Sequence, residues 1–144
     1  MTAEATDGWQ QCLAAEHAAS WAYGVLGGVL AGAGDRGEAD LGLASSASDE
    51  HLRRRNQLTA RIRALDAEPA VADAAYTLPF QVADARAARR LAVLVERRCT
   101  VVYAGAVAVV AGGDRRFMAE ALAAYAVLEV RWGGRDRELP GLTS

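Results

Sequence analysis

The 144-residue sequence predicts an all-α four-helix bundle, on three observations. Apolar and small residues recur every three or four positions over long stretches, and the alternation that marks strands is nearly absent. The three prolines, Pro69, Pro79 and Pro140, all fall outside those stretches. The length suits one domain, residues 1–144, with enough chain to bury a core without disulfide staples.

The first helix is expected over residues 7–33, with Trp9, Leu13, Glu16, Ser20, Tyr23, Gly27 and Leu30 along its inward stripe. The stretch "GAGDRGE" ends it and leads into a second helix over 38–65, striped by Leu41, Ser45, Ser48, Leu52, Arg55, Leu58 or Thr59, Ile62 and Leu65. "SSAS", Ser45 to Ser48, weakens the first half of that helix and leaves its continuity open. A third helix over 84–111, N-capped by Asp84, turns Ala88, Ala92, Val95 or Glu96, Cys99, Val102 or Tyr103, Ala106 and Val109 inward. Asp114 is the natural N-cap of a fourth helix over 114–132, which buries Phe117, Ala124 and Leu128 and places Glu120 or Ala121 inward. "GGRDRELPGLTS" is a non-helical tail.

Between the second and third helices lies the long connection "DAEPAVADAAYTLPFQVA". A structureless loop of that length needs a reason in a compact domain. A helix of 28 residues is about 42 Å long, and eighteen extended residues reach roughly 60 Å. The connection therefore returns the chain to the far end of the bundle, so that helix three runs parallel to helix two. That is the one-crossover, ferritin-like arrangement, with Tyr76, Leu78 and Phe80 pinning the crossover to the bundle.

Composition narrows the function classes. All 16 basic residues are Arg and none is Lys, the bias of a GC-rich coding sequence. A net charge of −2 leaves no electrostatic footprint for nucleic acid or an anionic membrane. The triplet Arg53-Arg54-Arg55 does not make a patch, because successive helical residues point about 100° apart. Two cysteines, Cys12 and Cys99, make no disulfide framework and sit in apolar helical pattern, where a thiol behaves as a small hydrophobe. The uncharged run from Ala18 to Gly34 falls short of the 18 or so residues that suggest a membrane span. The N-terminus is polar and mildly acidic, unlike a signal peptide, which places the protein in the cytoplasm. No nucleophile elbow and no phosphate-binding glycine loop after a strand is present.

The helix-one stretch "AAEHAASWAYGVLG", the linker element "YTLPF", the "RW" closing helix four and the terminal "LPGL" together resemble an uncharacterised family. It is a ferritin-like domain of unknown function common in actinobacterial genomes. The resemblance covers nearly the whole chain; it implies a ferritin-like bundle and no established reaction. It also raises the question of metal.

Carboxylate-bridged di-iron or di-manganese centres take one Glu from each of two helices and a Glu-x-x-His from each of the other two. Glu16 and Glu96 supply the single carboxylates. His51 lacks its Glu, since Ser48 stands there, and Glu120 lacks its His, since Ala123 stands there. Helix levels argue the same way. If the first hairpin turns near Arg36, Glu16 lies level with residue 56, and His51 sits roughly 7 Å away along the axis. A turn near Gly113 sets Glu96 beside Glu129 and Arg131 rather than Glu120.

The leading expectation is therefore a buried ion pair of Glu16 with Arg55, and a second of Glu96 with Arg131. A metal site of Glu16, His51, Glu96 and Glu120 holding iron or manganese, with redox or oxidase activity, is the alternative. A small-ligand binder using the interior around Trp21, Tyr23 and Tyr103 is a third. His17, turned about 100° from Glu16, is expected at a helix interface, and His51 at the bundle boundary. Gly24, Gly28 and Gly32 recur every four residues on helix one, so either they pack tightly inside the bundle, against Tyr103 or Val102, or they form the face of a homodimer. The sequence thus predicts a non-catalytic, cytoplasmic structural or interaction domain with a degenerate metal site and no cofactor.

Overall fold

The computed structural model describes residues 1–136 and 138–142. Arg137, Thr143 and Ser144 of the expected tail lie outside the described residues. Four helices account for most of the chain: α1 (Ala3–Gly32), α2 (Asp35–Ala64), α3 (Ala85–Val109) and α4 (Gly112–Arg131). Among the described residues there is no strand, and no helix is long and apolar enough to cross a membrane.

Two helices begin where local chemistry differs from the simplest sequence signal. α1 starts earlier than expected because the Thr2 hydroxyl accepts a hydrogen bond from the Ala5 amide at 3.1 Å. α3 starts as expected, with Asp84 capping the Ala87 amide at 2.8 Å. α4 starts at Gly112, N-capped by Ala111, so Asp114 is not the cap. It lies in the first turn and pairs with Arg61 of α2 at 2.9 Å. α2 runs unbroken through Ser45–Ser48.

Contacts between the helices fix their directions. Glu16 meets His51, and Glu16 and Tyr23 meet Tyr103 and Glu96 in that crossed order, so α1 is antiparallel to both α2 and α3. Trp9 stacks on Phe117 and Tyr23 approaches Trp132, so α1 and α4 run the same way. Asp40 pairs with Arg89 and His51 with Glu96, which makes α2 and α3 parallel, as the crossover requires. The crossover climbs along α1. The Gln10 amide bonds the Glu68 carbonyl and the Ala70 amide, each at 2.8 Å, His17 Nε2 donates to the Ala70 carbonyl at 3.0 Å, and Trp21 leans on Tyr76. His17 is thus an interface residue. Phe80 receives the Arg90 guanidinium over its ring, and Tyr76, Leu78 and Phe80 are all half-buried.

α2 is rotated from the expected stripe. It buries Gly37, Ala44, Ala47, His51, Arg54, Leu58 and Ile62, while Leu41, Ser48, Leu52 and Arg55 are half-buried and Ser45 is exposed. The first half of α2 has few large apolar residues, and the stripe drawn through Leu41 and Leu52 missed a face made of alanines that the neighbouring helices approach closely. Gly37 explains the closeness at the hairpin: a Cβ there would lie 1.8 Å from the Leu30 carbonyl oxygen. Gly34, at φ 62°, makes the turn itself.

Gly24, Gly28 and Gly32 do not pack inside the bundle. All three are exposed, a Cβ on any of them would meet nothing within 4 Å, and Tyr103 turns toward Glu16 instead.

Gly37→Ala is expected to lower the thermal midpoint, because the added methyl collides with fixed backbone. Gly42→Ala, on the exposed side of α2, is expected to raise stability by up to about 1 kcal/mol, since an open helical site gains helix propensity with no clash. Thermal unfolding of the two variants checks both signs; a neutral Gly37→Ala would contradict the close hairpin.

Candidate functional site

Six polar or aromatic residues on three helices are spaced in pairs seven apart, two turns on one face: Glu16 and Tyr23 on α1, Glu96 and Tyr103 on α3, and Tyr125 with Trp132 at the end of α4. Because α1 and α3 are antiparallel, the pairs cross. Tyr103 donates to Glu16 Oε1 at 2.6 Å, and Tyr23 donates to Glu96 Oε1 at 2.5 Å. Tyr125 adds a second donor to Glu16 Oε1 at 2.5 Å, and the Trp132 indole donates to the Tyr23 hydroxyl at 2.9 Å.

α2 contributes the piece that joins the two halves. His51 Nδ1 lies 2.6 Å from Glu16 Oε2, and its Nε2 lies 2.9 Å from Glu96 Oε1. The ring stacks on Tyr125 with centroids 4.3 Å apart. Glu16, His51 and Glu96 are each 0 % exposed. A neutral imidazole has one donor and one acceptor nitrogen, and a carboxylate only accepts. Two carboxylate contacts therefore require both nitrogens protonated. Burial alone would lower the His51 pKa, but the hydrogen bonds and charges of Glu16 and Glu96 outweigh it and push it up to about 9. Burial, reinforced by the same two carboxylates, raises the Tyr23, Tyr103 and Tyr125 phenols far above their ordinary value, so all three remain donors. It also raises the Cys99 thiol well above its usual range. Cys12 is raised too, and its sulfur rests 3.9 Å from that of Met118. Neither thiol has the lowered pKa of a nucleophile.

Several expected placements are corrected. Glu16 does not pair with Arg55, whose guanidinium lies half-buried against Asn56 Oδ1 at 3.3–3.4 Å. The inward arginine is Arg54, set over the Phe117 and Tyr125 rings and held by Glu50 at 2.8 Å. Glu96 does not pair with Arg131, which is exposed; the buried Glu129 near the end of α4 is bonded by Arg97 at 3.0 Å. His51 is not a boundary residue but the centre of the network.

Both pairing errors have one cause. The hairpin turns lie at Ala33–Gly34 and Val110–Ala111, earlier than Arg36 and Gly113. Glu16 and His51 are equally far along the chain from the first turn, and Glu96 and Tyr125 from the second. Tyr23 and Tyr103 are inside the network with their hydroxyls engaged, whereas Trp21 faces the crossover, so these three do not share a ligand pocket.

Of the four residues considered for metal, Glu16, His51 and Glu96 come together and Glu120 is exposed on α4. The imidazole ring fills the space between the two carboxylates, and the only carboxylate oxygen of the trio without a hydrogen-bond partner is Glu96 Oε2. Among the described residues no group of three or more His, Cys, Asp or Glu side chains is arranged to hold a metal ion. The donors as placed do not fit a dinuclear centre, which needs ligands that Ser48 and Ala123 cannot supply.

A family described as "Domain of unknown function (DUF4439)" matches residues 8–144. Among solved structures the chain is similar to the crystal structure of a conserved hypothetical protein, rv2844, from Mycobacterium tuberculosis. Identity is 28%, the TM-score is 0.82, and the match covers 92% of this chain and 97% of that one. No curated protein matches significantly.

The raised His51 pKa gives stability a definite pH dependence. The unfolded imidazole titrates near 6.5 and the folded one near 9. Its contribution is therefore complete below pH 6.5 and is lost as pH rises through 9, on the order of 3 kcal/mol in all. The thermal midpoint is expected to fall over that window in the wild type and in Arg55→Leu, and to stay flat in His51→Gln. A flat wild-type profile rejects the bridging imidazolium.

Proposed function

The chain belongs to the DUF4439 family, and we propose that it is a non-catalytic domain of ferritin-like descent in which the imidazolium of His51 stands where such bundles hold metal cations. The observation that carries this reading is that both His51 nitrogens are bonded to opposing carboxylates from α1 and α3. A positive ring between two buried carboxylates does for the core what a cation does in a metal centre: it offsets two charges that would otherwise face each other in low dielectric. The helix order, with its long crossover from α2 to α3, supports the descent. Buried, unpaired thiols are in keeping with a reducing compartment and support a cytoplasmic location.

The rival reading, iron or manganese bound through Glu16, His51 and Glu96 with oxidase chemistry, is favoured by one atom, the unpartnered and buried Glu96 Oε2. Elemental analysis after anaerobic loading with Fe(II) or Mn(II) and desalting separates the two. Near-zero metal per chain is expected. Close to two per chain, lost in Glu16→Ala, overturns the proposal.

The proposal includes a homodimer through the exposed helix face at Gly24, Gly28 and Gly32, whose open surface leaves room for a second helix. Sedimentation is expected to give twice the chain mass for the wild type and a monomer for Gly28→Leu. A wild-type monomer, or a dimer that survives the leucine, removes that face from the proposal.

A further inference from the structure

The crossover does more than return the chain. Where it passes over α1 and α3 it roofs a groove of about 470 Å³, open to solvent. Five alanines of α1 between Ala14 and Ala22 line one wall, and Leu91, Val95 and Val102 of α3 contribute to another. Residues 76–79 of the crossover form the cover, and the Trp21 and Tyr76 rings, 5.6 Å apart, tie it to α1. The space exists because α1 presents methyl groups where larger side chains would fill it. Voids wider than a water molecule are few in native cores, whereas clefts of roughly 300–1,000 Å³ lined by apolar groups are typical of small-molecule sites.

The polar groups at the groove define what enters. Arg98 is the only charged residue among those lining it, and no carboxylate lines it. Arg98 is exposed and has no ion-pair partner among the described residues, although Arg97 beside it is held by Glu129 and Arg89 by Asp40. Gln11 and Thr77, also at the wall, offer further hydrogen-bonding groups with no side-chain partner among the described residues.

We propose that this groove binds a monomeric amphipathic carboxylate, a free apolar acid whose body lies along the α1 alanines under residues 76–79 and whose head is held by Arg98. An arginine fork matches a carboxylate in shape as well as charge. The groove is separate from the three-residue bridge, and binding there does not depend on whether that bridge ever admits a metal.

Calorimetric titration with decanoate, decanol and decyltrimethylammonium, each below its micelle concentration, tests the assignment. Decanoate is expected to bind saturably at one site per chain and decyltrimethylammonium not to bind. Arg98→Gln, a substitution at an exposed position, is expected to weaken decanoate tenfold or more while leaving decanol unchanged. Ala18→Phe, which places a ring in the groove, is expected to abolish both decanoate and decanol binding. The proposal is overturned if decanoate fails to bind, if the cation binds as tightly as the acid, or if Arg98→Gln keeps full decanoate affinity.

Discussion

The bundle depends on a single ring. Glu16 and Glu96 approach the same point in the core from antiparallel helices, and without a cation between them they would face each other out of water. His51 supplies that cation from a third helix, and Tyr125 of the fourth both stacks on the ring and donates to Glu16. All four helices therefore converge on one charge-assisted network. Charge-assisted hydrogen bonds are roughly twice as strong as neutral ones, and they are directional in a way apolar contacts are not. The imidazolium thus does more than offset charge: it sets the register of α2 against α1 and α3 together.

Register needs such a device here because the surrounding core is built of small residues. Ala19, Ala22, Ala44, Ala47, Ala88, Ala92, Ala106 and Ala121 are all buried. Alanines let helices approach closely but bury little area each, and a smooth alanine face tolerates sliding better than interlocking large side chains do. The crossed pairing of Glu16 with Tyr103 and Tyr23 with Glu96 removes that freedom between α1 and α3, since a slip of one turn would break both bonds at once. Arginines add a second constraint at the rim. Arg54, Arg61 and Arg89 lie over the rings of Phe117, Trp9 and Trp132 while their nitrogens meet carboxylates on the same or another helix. A lysine offers no planar group for this double role, so the arginine-only composition, whatever its genomic origin, is used structurally.

The helix count, the crossover and its anchors at Tyr76, Leu78 and Phe80 were legible in the sequence because periodicity and linker length bear on them directly. The inward placement of Glu16 and Glu96 was legible for the same reason. Their partners were not, and the cause is geometric. Moving a hairpin turn by two or three residues moves the level of every residue opposite it by twice that number, and helix ends are the least determined feature of a periodic pattern. Placing the first turn at Ala33–Gly34 brings His51 opposite Glu16; placing it at Arg36 brings Asn56 there and makes Arg55 look like the partner. Gly34 and Gly37 carried the correct signal, one as a turn residue with positive φ and the other as a point of close backbone approach. The repeated spacing of Glu16 to Tyr23 and Glu96 to Tyr103 carried the rest.

α1 shows how one helix serves three environments along different faces. Glu16 and Tyr23 point into the network. Gln10, His17 and Trp21 hold the crossover. The alanines between those two sets leave the groove open. Nearly continuous apolar and small character around the helix follows from this division, since each face has a different partner to accommodate. The proximity of Glu16 and His17 in sequence also has its explanation here. A rotation of about 100° per residue sends the carboxylate into the core and the imidazole to the crossover, so the two neighbours never act together. The histidine that Glu16 requires arrives instead from α2, and it arrives there because the turn between the helices is short.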